Sequence, residues 1–168
     1  VSNRSTADNL GHLGKNIISI PLGETKISRA VKSLDIIIKT CTSVNLVTQS
    51  KKRIFEKDKS EYTFRTINSL VKSLKFGEKF LKNIKIRFHV IDHNSKDGDL
   101  EKIRNILNSA NIEFDITNLN LEKFTQIKTL DKGNLIIENN MKATMASIFT
   151  SFNIAKKNCG DLIYFVED

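Results

Sequence analysis

Residues 84–117 read IKIRFHVIDHNSKDGDLEKIRNILNSANIEFDIT. Apolar and polar residues alternate over 84–92, and this alternation predicts a strand. A polar turn follows, and apolar residues then recur at helical spacing over 99–110. A second run of β-branched and aromatic residues, 112–117, predicts the next strand. The order strand, helix, strand predicts a right-handed crossover between parallel strands of one sheet.

The rest of the chain continues the alternation of strands and helices. Further strands are predicted at 35–41 and 162–166, and further helices at 61–76, ended by Gly77, and at 141–158, ended by Gly160. The apolar residues of the last helix that share a face are Met145, Ile148, Phe149 and Phe152. Smaller features are an edge strand at 16–22, a helical turn or two at 26–34, and an N-terminal cap of helix 99–110 by Asp97 or Asp99. Together they predict an α/β fold with a mainly parallel, Rossmann-like sheet and helices on both faces.

Composition limits the function classes. The chain has 168 residues, 39% of them hydrophobic, and a formal net charge of +8, which describes a globular domain with a basic surface. No segment has the length of a transmembrane helix, and residues 1–16 lack the apolar core of a signal peptide, so the sequence predicts a cytoplasmic protein. The lysines are dispersed among acidic residues and no RNA-binding aromatic motif is present, so no nucleic-acid partner is predicted. Cys41 and Cys159 form no CxxC pair and are predicted to be small apolar fillers.

Polar clusters follow three of the predicted strands, and they begin at Lys39, Asp92 and Glu167. Parallel strands would bring all three to one edge of the sheet, where ligands bind in such folds. Asp92 could accept a hydrogen bond from a nucleoside base or a ribose, or it could be a turn residue that caps its own loop. His89 is predicted to be structural, whereas His93 lies at the edge of the site.

The adjacent carboxylates Glu167 and Asp168 end an apolar strand. Carboxylates in this position are costly to desolvate unless they face solvent or a cation. Mg²⁺ and Mn²⁺ commonly take one or two carboxylates together with substrate phosphates. The pair therefore predicts either a divalent metal site or a solvated strand end.

Three segments, in this order, resemble the nucleotide-sugar glycosyltransferases of the GT-A fold, family 2 in particular. VIDHNSKDG, 90–98, is similar to their VDDGSTDG-type segment, and DIIIKTCT, 35–42, is similar to their first strand. FTSFNIAKKNCGDLIYFVED, 149–168, resembles their Asn-containing helix, Gly-Asp turn and strand that leads into the DXD motif. The resemblance covers the chain from about residue 35 to its end.

The resemblance implies specific roles. Asp92 would contact the nucleoside base, Thr40 would lie in the same pocket, and His93 would be at its edge, where the family often has a second Asp. Glu167 and Asp168 would open a DXD-like triplet that holds Mn²⁺ or Mg²⁺ against the diphosphate of a nucleotide sugar, a UDP-sugar being favoured. The sequence departs from the family where Lys39 replaces the usual Pro of the first strand and where Glu167 opens the triplet.

The resemblance also implies a domain plan and an activity. Residues 1–34 would be an N-terminal extension, and 35–168 would be a donor-binding half-domain of a longer enzyme whose catalytic base lies beyond Asp168. That enzyme would transfer a sugar to a glycan or lipid-linked acceptor with inversion, with peripheral contact to the inner face of the membrane as a further expectation. Two alternatives stay open: a receiver-like signalling module that binds Mg²⁺, and a basic module that binds anionic lipid or nucleic acid through its lysines.

Overall fold

The computed structural model describes residues 29–43, 58–130 and 133–167. The chain divides into two compact units, 1–30 and Val31–Asp168, and the elements below all belong to the second unit. The predicted strand at 16–22 and most of the loop at 42–60 lie outside the described residues.

Four parallel strands form one sheet. They are β1 (Ser33–Thr40), β2 (Lys85–Asp92), β3 (Glu113–Asn118) and β4 (Leu162–Val166). Their order across the sheet is β3-β2-β1-β4, and all three pairings are parallel. The two central strands are covered on both faces. One face carries the apolar side chains of Ile36, Ile38, Phe88 and Val90, whereas the other also carries polar side chains. The predicted α/β class with a Rossmann-like parallel sheet is confirmed.

Helices cover both faces of this sheet. They are α1 (Lys59–Phe76), the short α2 (Glu78–Leu81), α3 (Asp97–Ser109) and α4 (Leu135–Asn158), with a 3₁₀ turn at Leu121–Lys123. On one face, α1 and α3 pack against β1 and β2. This core consists of Ile36, Ile38, Phe64, Ile67, Phe88, Val90, Ile103 and Leu107.

α4 lies on the other face, against β1 and β2. It begins before the predicted residue 141, because Asn134 caps it by accepting hydrogen bonds from the backbone N–H groups of Ile136 and Ile137. Its buried residues are small, namely Ala143, Ala146, Ser147 and Ser151. Small side chains let the helix backbone approach the sheet closely, whereas Met145, Phe149 and Phe152 are exposed.

Two local predictions are wrong. Residues 29–34 contain no helix, since Ser33 and Leu34 already belong to β1. Neither Asp97 nor Asp99 caps α3, because the N-cap position is Lys96 and both aspartates lie in the first turn. Their carboxylates there still face the positive end of the helix dipole.

Within the described ranges, every helix is too short or too polar to cross a membrane.

Candidate functional site at the carboxyl edge of the sheet

The carboxyl ends of β1, β2 and β4 lie side by side at one edge of the sheet. β2 and β3 follow one another on one side of β1, whereas β4 lies on the other side of β1. The strand order therefore reverses between β1 and β4. In open parallel sheets, the crevice at such a reversal is where ligands bind.

Thr40 and Asp92 end β1 and β2, and they contact each other at this edge. They are partners in the strand register, and the Thr40 hydroxyl donates a 2.8 Å hydrogen bond to Asp92 Oδ1. Asp92 Oδ2 accepts from the backbone N–H of Ser95 at 3.2 Å. Both side chains are buried. Asp92 thus caps its own loop, the alternative that the sequence left open, although a carboxylate has lone pairs for further donors.

The loops after β1 and β2 are tied together by their polar groups. The backbone N–H of Thr42 donates to Ser95 Oγ at 2.9 Å, and Thr42 Oγ1 accepts from the backbone N–H of Lys96 at 3.1 Å. The backbone N–H of His93 donates to the Thr40 carbonyl at 3.0 Å. Asn94 has φ 61°, a left-handed conformation that Asn tolerates well. These bonds hold the half-buried His93 beside the Thr40–Asp92 pair.

Glu167 follows β4 and forms an ion pair that no sequence pattern indicated. Its Oε1 lies 2.8 Å from Lys39 Nζ, with side-chain exposures of 82% for Glu167 and 22% for Lys39. The hydrogen bond from Lys39 and its positive charge lower the pKa of the Glu167 carboxyl below the ordinary value of 4.5. Asp168 lies outside the described residues.

An exposed, ionised carboxylate at this edge suits a hard divalent cation. The Lys39 ammonium opposes such a cation, because it occupies the same carboxylate and carries the same sign of charge. Mn²⁺ or Mg²⁺ would therefore have to displace Lys39 from Glu167.

A second polar cluster, which no sequence pattern indicated, lies under the end of α4. Asp35 is 1% exposed, and its Oδ1 accepts from Arg87 Nε and Nη2 at 3.0 Å each. His89 Nε2 lies 3.0 Å from the same oxygen, and because an ionised carboxylate can only accept, this nitrogen carries a proton. His89 Nδ1 lies 2.6 Å from Asp115 Oδ2, but off the direction needed for a hydrogen bond. His89, which was predicted to be structural, is fully buried in this cluster.

Cys159, which was predicted to be a small apolar filler, lies against this cluster. Its Sγ lies 4.0 Å from His89 Nε2, and the ligand atoms of Asp35, His89 and Cys159 lie within 4.8 Å of one another. Burial, followed by the charge of Asp35, raises the pKa of the Cys159 thiol to about 11. A protonated thiol and a carboxylate already held by Arg87 make a poor metal site, and the arrangement favours a structural ion-pair network.

A cavity of about 780 Å³ opens between α1 and α3, lined in part by Ile84 and Ile112. These residues precede β2 and β3, so the cavity lies at the amino edge of the sheet, opposite Thr40 and Asp92. The carboxyl edge is the candidate functional site because of its strand order and its polar side chains, not because a cavity lies there. Comparison of the chain with family models, curated proteins and solved structures finds no match.

Proposed function

We propose that this chain binds the nucleotide-diphosphate part of a sugar donor, as the donor-binding part of a glycosyltransferase. The observation that carries the proposal is the reversal of strand order between β1 and β4, with Thr40, Asp92 and Glu167 all at that edge. The ordered resemblance of the three segments to GT-A transferases supports the same edge as the donor site.

In this proposal the Thr40–Asp92 pair forms the floor of the nucleoside pocket. The hydrogen bonds of Asp92 to Thr40 and Ser95 fix its carboxylate, so its remaining lone pairs are oriented before a base or ribose arrives. A fixed acceptor loses little entropy when it binds a donor group. His93, at the rim, would contribute contact area beside the nucleoside.

The diphosphate would lie toward β4. Glu167, together with Asp168, would hold Mn²⁺ or Mg²⁺, which neutralises the charge of the nucleotide leaving group when it is bound. Lys39, released from Glu167, would be free to contact a phosphate oxygen. The ion pair thus keeps the Lys39 ammonium at the site until a ligand replaces it.

The reaction proposed from the resemblance is direct displacement at the sugar carbon with inversion. The acceptor would be a glycan or a lipid-linked glycan, and its hydroxyl would attack as the nucleotide diphosphate leaves. Because no described residue at this edge is placed as the base, nucleotide binding is the property to test first.

The strand order argues against the receiver-like signalling alternative. Receiver-type sheets place β1 between β2 and β3, in the order 2-1-3-4-5. Here β1 lies between β2 and β4, which is the start of the dinucleotide-binding order 3-2-1-4.

Calorimetry with UDP and a UDP-sugar, in Mn²⁺ and in EDTA, tests the proposal. We expect metal-dependent binding that weakens at least about tenfold in Glu167→Gln, whose exposed side chain makes no core contact. Asp92→Ala should also weaken binding, and Glu101→Ala, on the exposed side of α3, should leave it unchanged.

Folded protein that binds none of UDP, GDP or CDP would refute the proposal. Binding that is equal in EDTA and unaffected by Glu167→Gln would refute the metal role. Because Asp92 is buried, the Asp92→Ala result counts only if circular dichroism shows that this variant is folded.

A further inference from the structure

α4 has two dissimilar sides. Its small residues face the sheet, while a second set recurs at intervals of three and four residues and so shares the opposite side. We call this set the outer stripe, and it consists of Lys142, Met145, Phe149, Phe152 and Lys156. The three apolar members are among the four large side chains that the sequence placed on one face, and the fourth, Ile148, is half-buried.

The apolar part of the outer stripe is exposed and is continued by neighbouring aromatic rings. Met145 is 53% exposed, Phe149 50% and Phe152 62%. Phe124 lies edge-on to Phe149 with ring centroids 6.1 Å apart, and Phe165 of β4 lies 5.4 Å from Phe152. Large apolar side chains grouped in this way on a surface indicate a contact with another molecule or a membrane.

The charged residues of the outer stripe itself are both lysines. Lys142 and Lys156 lie at the two ends of the outer stripe, and Lys157 adjoins the second of them. None of the three forms an ion pair with the part of the chain that the structure describes. Glu138, one turn before Lys142, is the acidic residue in line with the stripe. An anionic surface is therefore the complementary partner.

A second copy of the chain fits this charge pattern poorly. If two α4 helices packed antiparallel about Phe149, Lys142 of one copy would face Lys156 of the other. The like charges would repel each other at both ends of the contact. An exposed apolar stripe with a lysine at each end can place its rings at the acyl boundary of a membrane and its ammonium groups at the headgroups.

We propose that the outer stripe of α4 docks this protein on an anionic lipid bilayer. The helix would lie parallel to the bilayer plane, with Phe149 and Phe152 inserted and Lys142 and Lys156 at the lipid phosphates. The outer stripe contains none of the residues proposed to bind the sugar donor, and this proposal does not depend on the function proposed for the carboxyl edge.

Vesicle sedimentation tests the proposal. We expect the protein to sediment with vesicles of phosphatidylcholine mixed with phosphatidylglycerol, and not with phosphatidylcholine alone. Phe149→Ser/Phe152→Ser should reduce the bound fraction at least about tenfold, because membrane affinity scales with the inserted apolar area. High salt should weaken the binding of the unchanged protein, because salt screens the lysines.

Charge reversal, Lys142→Glu/Lys156→Glu, should also abolish binding while keeping the apolar side chains. This second variant keeps the test valid if loss of the two rings unfolds the protein. The matched controls are Phe76→Ser/Phe80→Ser and Lys75→Glu/Lys79→Glu, which remove exposed rings and charges at the end of α1 and in α2.

Three results would overturn the proposal. The first is that the protein does not sediment with anionic vesicles. The second is that both stripe variants still sediment with them. The third is that the control variants lose binding while the stripe variants keep it. The protein could instead form a concentration-dependent dimer that Phe149→Ser/Phe152→Ser dissociates, with no binding to vesicles. That result would show that the stripe contacts a second copy of the chain and would refute docking on a lipid bilayer.

Discussion

Asp35→Ala should be strongly destabilising, because Asp35 is the shared acceptor of the buried cluster under α4. The substitution removes the partner of His89 Nε2 and of two guanidinium nitrogens of Arg87. Removing one member of a buried ion pair costs about 3–5 kcal/mol, because the other member remains desolvated. Arg87 is partly exposed and keeps its 2.6 Å bond to the Asn158 carbonyl, so the lower end, about 3 kcal/mol, is expected.

Urea denaturation measures this loss. With a slope of about 1–3 kcal/mol per molar urea, a loss of about 3 kcal/mol should lower the midpoint by about 1–3 M. Glu113→Gln is the matched control, since Glu113 lies 3.9 Å from the same Arg87 but is half-exposed, and no measurable change is expected. If Asp35→Ala lowered the free energy of unfolding by less than about 1 kcal/mol, the cluster would not stabilise the fold and the reasoning would be wrong.

The same cluster sets a dependence on pH. Burial by itself raises the pKa of Asp35, but hydrogen bonds from His89, Arg87 and the Gly160 N–H together lower it below the ordinary value of 3.8. A carboxyl group whose pKa is lower in the folded than in the unfolded state stabilises the folded protein at pH values above its unfolded-state pKa. This stabilisation is lost as the pH falls through the folded-state pKa. The free energy of unfolding, measured at decreasing pH, should therefore fall below about pH 4, and this decrease should be smaller in Asp35→Asn.

Three further predictions concern the ends of α4 and the thiol beside the cluster. In a Cys41→Ser background, Cys159 should react slowly with a thiol reagent at pH 8 and faster as the pH approaches the thiol pKa of about 11. Rapid labelling at pH 8 would contradict the burial of this thiol. Gly160→Ala should lower the melting temperature, because the added Cβ would lie 2.9 Å from Ser33 Oγ, and Ser33→Ala should relieve part of the loss. Asn134→Ala should cost about 1 kcal/mol in urea denaturation, because it removes the cap of α4, whereas an unchanged midpoint would show that the cap does not contribute.

Most of the fold was predictable from the sequence because its local patterns agree with one another. The strand at 162–166 was predicted with its observed bounds, and those at 35–41, 84–92 and 112–117 were predicted to within about two residues. Alternating and β-branched runs identify such strands, because each residue's face follows from its own position in the chain. The meeting of Thr40 and Asp92 at one edge also follows, since parallel strands bring their carboxyl ends together.

The sequence alone did not predict the helix termini and faces that depend on neighbours. The periodicity of α4 shows that Met145, Phe149 and Phe152 share a side, but not that Ala143 and Ala146 form the side that meets the sheet. That choice depends on how closely the helix approaches β1 and β2, which is a property of the packed structure.

The sequence by itself determined the fold class, the polar residues after each strand and the resemblance that suggests a nucleotide-sugar donor. Only the tertiary structure decided that Lys39 neutralises Glu167 and that Asp35 lies against Arg87 and His89. The residues of each ion pair lie at least 52 positions apart in the chain, so only strand order and register bring them together. Local sequence patterns do not determine which strands are neighbours in the sheet, so the pairing of strands is known only from the folded structure.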